Sequence, residues 1–354
     1  MRARVPVRPG GCDSGGFTLI ELLVASAITV VLAGLMIAIL AQVTRTWARA
    51  SGGLTATQQA EQALDQLARD LESAVIRRDG RVWLAATVQP DQSGAGDIGG
   101  TLATWSSPVR KPGVTLPGDP ESSLDLVPAS GRIEDCRFGM AGVWLRFVAD
   151  VPDRNSGIGD TSAPRVVGYQ IVRRAVSGGA GSAQRYALFR SEVRPYADES
   201  PARERSTFVV GCDVFAPAYN TAAGGGNIGD AGTVRRPRRD QLLANEVIDF
   251  GVRFFGPAAG GGGAVLLFPT SNGHRGFAAT NDSGASPPNP PVAAAAMSRG
   301  FPAEAELLVR VLTEEGARQI EALEQGRLSG PKWWDVARVH SIVLTRRVRL
   351  EAAP

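Results

Sequence analysis

Gly15-Gly16-Phe17-Thr18-Leu19-Ile20-Glu21-Leu22-Leu23-Val24 is the stretch from which the rest of the chain can be read. Before it lies a short polar segment with Arg2, Arg4 and Arg8 against the acid Asp13. After it comes an apolar run, Leu22 to Ala41, with no charged residue. At ~1.5 Å per residue such a run is about 30 Å long, enough to cross the hydrocarbon core of a bilayer. One carboxylate, Glu21, stands at the mouth of the run. An ionisable group at that depth costs at least about 2.5 kcal/mol unless it is partnered, which marks Glu21 as a candidate functional residue. Residues i and i+4 share a helix face, so positions 17 and 21 would lie on one side of a helix that began here.

Gly16 through Leu22 resemble the type IV prepilin cleavage and methylation motif. In that family a membrane aspartyl peptidase cuts after the glycine and methylates the new N-terminus. The resemblance implies a cut between Gly16 and Phe17, methylation of Phe17, and a filament-assembly role for Glu21, which would neutralise the N-terminus of a neighbouring subunit. The implied partners are a prepilin peptidase, a filament assembly platform, the membrane, and other pilins or pseudopilins met through the N-terminal helix. A small glycine suits the cleavage position, because it lets a protease approach the backbone closely. An ordinary secretory signal would put its small-residue cleavage site after the apolar run. Here Ala25-Ser26-Ala27 falls inside it.

The domain organisation follows from this reading. Residues 1–16 are expected to be a leader, 17–43 the transmembrane half of a spine helix, 44–78 its amphipathic half, and 79–354 an extracytoplasmic head. The leader arginines fit the positive-inside rule, with 1–16 in the cytoplasm and the head in the periplasm or outside the cell. The chain's net charge of +3 over 354 residues is carried mostly by that leader. It therefore gives no electrostatic footprint for nucleic acid, which is not expected as a partner. Cys12 falls in the leader. In an oxidising compartment Cys136 and Cys212 can pair. A loop of roughly 75 residues closed in this way is worth about 4 kcal/mol in the chain-entropy model.

The helix is expected to continue beyond the bilayer. Trp47, flanked by Arg45 and Arg49, reads as an interfacial anchor. Ser51-Gly52-Gly53 weakens the helix. Beyond it Ala60, Leu64, Leu67, Leu71, Ala74 and Val75 recur at helical spacing, with Glu61, Asp65, Arg69, Asp70 and Glu72 around the rest of the barrel. From Arg81 the pattern changes to short strands between long loops. Strands are expected over Arg81–Val88, Val143–Ala149, Arg165–Ala175, Arg185–Arg194, Phe208–Val210, Val247–Phe255, Val265–Phe268, Ala305–Thr313 and Val336–Leu350. Glu314–Gln325 reads as a helix, with Ala317, Ile320 and Leu323 on one face. Residues 89–123, 216–241, 256–263 and 269–300 are rich in Gly, Pro, Ser and Asn and read as loops. One helix followed by strands in series predicts an α+β head on a mostly antiparallel sheet.

Within the head, Leu243 to Phe255 resembles the strand before the variable loop of the J-type minor pseudopilins of type II secretion. Phe301 to Thr313 resembles the proline-led strand that follows, and His340 to Leu350 the closing strand. The long Gly-rich loops also bring the chain close to the Verru_Chthon cassette C proteins, another prepilin-like family. The resemblance implies a minor pilin or pseudopilin placed near a filament tip.

Other constellations carry less. Gly94 to Gly99 and Gly224 to Gly229 both fit G-x-G-x-x-G, but neither has the strand before and helix after that dinucleotide binding needs. Asp153 to Asp160 offers oxygen ligands without the EF-hand pattern. His274 and His340 have no zinc spacing with the cysteines. No cofactor and no metal are expected. No nucleophile, base and orienting group fall into a catalytic pattern, so the chain is expected to be a peptidase substrate and not an enzyme. Arg235, Arg236, Arg238 and Arg239 form a compact basic cluster that could face an anionic partner. They are the basis of an alternative reading, a type IV pilus tip module that binds DNA or surfaces. No aromatic residues interleave the arginines to stack on bases.

Overall fold

The computed structural model describes residues 18–78, 80–88, 124–140, 142–150, 164–175, 184–193, 195–196, 208–209, 237, 241–258, 263–270, 276–280 and 297–350. The chain divides into two compact units, residues 1–51 and 52–354. A single long helix, α1 (Leu19–Glu72), belongs to both. It is helical throughout, Ser51-Gly52-Gly53 included.

In the first unit the helix is apolar and exposed. Leu22, Leu32, Leu35, Ile37 and Ile39 are each more than half exposed. Its few hydroxyls bond back to the helix's own carbonyls: Ser26 Oγ to Leu23 O at 2.8 Å, Thr29 Oγ1 to Ala25 O at 2.8 Å, and Thr44 Oγ1 to Leu40 O at 2.6 Å. In lipid such internal pairing is what a hydroxyl requires. Trp47 is exposed, as an interfacial anchor would be.

In the second unit the helix is amphipathic, and the expected stripe is buried. Ala56, Ala60, Ala63, Leu64, Leu67, Ala68 and Leu71 all lie in the core. The helix ends at the sheet: Val75 donates its N–H to Val148 O at 2.9 Å, and Asp150 donates to Ser73 O at 2.9 Å.

The remaining elements follow in chain order. β1 is Leu84–Val88, β2 Val143–Asp150, β3 Pro164–Ala175, β4 Gln184–Val193, β5 Pro195–Tyr196 and β6 Phe208–Val209. β7 is Leu242–Asn245, β8 Val247–Pro257, β9 Ala264–Phe268, β10 Gly276–Ala279, β11 Met297–Arg299 and β12 Glu304–Leu312. Two short helices, α2 (Glu314–Glu324) and α3 (Trp333–Val339), precede β13 (Ser341–Arg349). Among the described residues one sheet has the order β11-β10-β1-β2-β3-β4-β7, a second β13-β12-β8-β9, and β5 pairs with β6. Every pairing is antiparallel except β10 with β11 and β5 with β6. The fold is therefore α+β, an N-terminal apolar helix followed by a mostly antiparallel head.

Inner faces of both sheets, the buried stripe of α1 and the apolar sides of α2 and α3 share one core. Phe254, Phe268 and Phe277 cluster within it, the Phe254 and Phe277 rings 4.9 Å apart. Strand β8 carries the expected apolar alternation at Ile248, Phe250, Val252 and Phe254, yet its other face is buried as well. Asp249 on that face accepts from the Phe138 N–H through both carboxylate oxygens at 3.2 Å, and Arg310 stands 4.0 Å from it. Arg253 pairs with Glu306 and donates to Gly131 O at 2.9 Å. Gly251 lets Phe138 lie against the strand, since a Cβ there would stand 2.0 Å from the ring. The segment 124–140 thus covers the polar face of β8.

Three expectations are corrected. The closing strand does not start at Val336: Trp333–Val339 is helix α3, and His340 is its C-cap rather than a strand residue. Val336 and Val339 read as strand formers, but burial of Trp333, Trp334, Val336 and Ala337 follows helical spacing and decides the outcome. The region 269–300, read as loop, contains β10 and β11. Asp70, read with the charges around the rest of the barrel and off the apolar stripe, is buried beside that stripe, 2 % exposed.

Candidate functional site

The mouth of the apolar helix is built by two side chains. Thr18 stands just before Leu19, and its Oγ1 accepts from the Glu21 backbone N–H at 3.3 Å. In return Glu21 Oε2 accepts from the Thr18 backbone N–H and from the Thr18 hydroxyl, both at 2.9 Å. This reciprocal pattern is a capping box, Thr at the N-cap and Glu three residues on, and it satisfies two of the amides that a helix start leaves bare. It also turns the Glu21 carboxylate back over Thr18, toward the N-terminal end of the helix. A negative charge there is favoured by the helix dipole. Gly16 and Phe17 themselves lie outside the described residues.

From this mouth Leu19–Thr44 runs as a stretch of 26 residues long and apolar enough to cross a membrane.

At the other end of α1 a second polar cluster sits in the head. Asp70 accepts from Arg190 Nε at 2.6 Å and Nη2 at 3.2 Å, from Gln66 Nε2 at 2.8 Å, and from the Tyr169 hydroxyl. Arg190 also reaches Glu192 at 2.8 Å, and Glu192 in turn pairs with Arg165. Burial, and then the Asp70 charge, push the Tyr169 phenol well above its ordinary value, so it acts here as a fixed donor. Burial works to lower Arg190, but its bonds to Asp70 and Glu192 outweigh that and raise it. The cluster fixes α1 to β3 and β4. Glu324 at the end of α2 plays the same part for the short helices, accepting from Arg173, from the Tyr186 hydroxyl and from Trp333 Nε1 at 3.1 Å.

Cys136 is a buried free thiol. Its Sγ lies 3.6 Å from Leu126 O and 3.7 Å from Arg132 O. Burial pushes it up to about 12, which leaves it protonated at neutral pH. Cys212, the partner expected for it, lies outside the described residues. So do Arg235, Arg236, Arg238 and Arg239, both Gly-rich matches, His274 and the Asp153–Asp160 loop. Glu314 and Glu315 open α2 as expected, behind an N-cap in which Thr313 accepts from the Gly316 N–H at 3.2 Å. Among the described residues no group of three or more His, Cys, Asp or Glu is placed to hold a metal ion.

Of the residues singled out by sequence, the structure thus builds Glu21 into a defined arrangement. It adds Thr18, whose role the Thr-x-x-Glu spacing already carried. It also adds the Asp70 and Glu324 clusters, for which no local signal exists.

A comparison with protein-family models matches residues 13–37 to the prokaryotic N-terminal methylation motif. The matched span contains Gly16, Phe17, Thr18 and Glu21 and most of the apolar stretch, as far as Ile37. No curated protein and no solved structure matches the chain.

Proposed function

Starting from a type IV prepilin-like N-terminus, we propose that this chain is a minor pilin or pseudopilin subunit, processed by a prepilin peptidase and assembled near the tip of a filament. The motif implies processing by such a peptidase and assembly with other pilins. A single apolar N-terminal helix fits membrane anchoring. In this reading the head stands outside the cytoplasmic membrane, the peptidase cuts between Gly16 and Phe17, and Phe17 is methylated. The assembly platform then draws the helix out of the bilayer. Lipid contacts are exchanged for helix contacts, and Glu21 meets the N-terminal amine of the adjoining subunit.

The observation that carries this reading is the capping box at Thr18 and Glu21. It places one carboxylate at the mouth of an otherwise uncharged apolar helix, aimed at the side where the peptidase would create an amine. The large head, with long Gly-rich insertions, fits a repeating shaft poorly and favours a tip position. The strands β8, β12 and β13 coincide with the segments that resemble J-type pseudopilins, which favours a type II secretion pseudopilus or a related filament.

Replacing Glu21 by leucine tests the proposal in the native host. The variant is expected to insert and lose its leader normally, while its share in sheared filaments falls about tenfold or more, since an unpaired charge among apolar helices costs upward of about 2.5 kcal/mol. Incorporation at the wild-type level would contradict it.

A further inference from the structure

Two adjacent glycines, Gly52 and Gly53, lie inside α1, more than a turn from either end. A glycine in a helix interior costs about 1 kcal/mol relative to alanine. Folds keep such a residue where the backbone needs a left-handed angle or where another group approaches too closely for a side chain. Neither reason applies among the described residues of this chain. Both residues are helical. Among the described residues, a Cβ on Gly53 would meet nothing within 4 Å, and one on Gly52 would reach Glu314 Cβ at 3.7 Å and Oε2 at 4.0 Å, ordinary contact distances. An alanine pair would fit and would strengthen the helix.

The position is informative. Toward the N-terminus the helix is exposed, up to Trp47 at 75 %. Toward the C-terminus burial begins at Ala56 and is locked by Asp70. The two compact units of the chain divide between Ser51 and Gly52. One turn further on, the Thr57 hydroxyl donates to the Gly53 carbonyl at 3.0 Å. Such a back-bond gives that carbonyl a partner that does not depend on the amide ladder, and is itself associated with helix bending.

We propose that Gly52-Gly53 is a hinge in α1, at which the membrane half of the helix changes direction while the head half stays docked through Asp70. Resting on the filament reading above, its use is the transfer from bilayer to filament. That step takes the apolar half from one set of neighbours to another while the head keeps its own fold. The glycine pair confines the bend to the last turn before the head's core begins and spares the helix on either side.

The experiment compares the full-length chain with the double variant Gly52→Ala/Gly53→Ala, each purified in detergent from the host. Amide hydrogen exchange across 49–56 is expected to slow about tenfold or more in the variant, the size that two glycine-to-alanine changes allow. In the host, leader removal should be unchanged, while the share found in sheared filaments should drop at least about fivefold. The variant Ser51→Gly/Gly53→Ala, which moves the pair by one position, should restore both values. Unaltered exchange, or wild-type incorporation of the alanine variant, overturns the hinge. Failure of the wild-type chain to be processed or incorporated would instead overturn the filament reading, and the exchange measurement would still decide the hinge.

Discussion

At the scale of single residues, charge placement does most of the work. Glu21 costs energy wherever it lies in lipid unless it is partnered, and the Thr18 box supplies only neutral donors. In the function proposed above, its full partner is the cation that a cut at Phe17 would make. Asp70 is the counterpart in the head. It is a buried acid on a helix face otherwise made of alanine and leucine, a smooth surface that could slide by a turn against the sheet. The bonds from Arg190, Tyr169 and Gln66 fix one register. Removing one partner of a buried pair typically costs about 3–5 kcal/mol, because the other is left uncompensated. Asp70→Ala should therefore lower the urea midpoint of the full chain in detergent by that equivalent; an unchanged midpoint would show that the register is set by apolar packing alone. Glu21 was legible in the sequence because it interrupts an uncharged run. Asp70 was not, because its partners Tyr169 and Arg190 lie 99 and 120 residues away and no local pattern connects them.

At the scale of elements, legibility followed the strength of local periodicity. Helix α2 and strands β2, β3, β4, β8 and β12 carry clear spacing or alternation, and they appear within a residue or two of expectation. Helix α3 does not: its β-branched residues suggest a strand, and burial of Trp333, Trp334, Val336 and Ala337, with Trp333 packed on Tyr186 at 5.9 Å between rings, explains the turn it adopts. Strand β10, Gly-Phe-Ala-Ala, has little strand character and exists because β1 offers it a paired edge from Leu84 to Thr87. In both cases tertiary contacts override propensity. The double-faced burial of β8 was hidden for the same reason, since the segment 124–140 that covers it is remote in the chain. A test of that cover is Gly251→Ala. Its Cβ would collide with the Phe138 ring, and overpacking of this kind costs about 1–3 kcal/mol or more. The variant should lose that much in chemical denaturation; wild-type stability would mean that 124–140 does not lie on β8.

At the scale of the whole molecule, the chain joins an apolar helix with a methylation motif to an α+β head whose clusters are structural. The head's polar groups hold helices to sheets, and the reactive-looking thiol Cys136 is buried and kept protonated. The proposed function rests on the first described turn and the residues just before it. The most direct measurement is N-terminal peptide and intact mass spectrometry on the protein taken from its native membrane. A chain that begins at Phe17 and carries one added methyl is the result predicted here. A chain that still begins at Met1, or that starts after a small residue such as Ala27, would contradict the account and leave Glu21 without its partner.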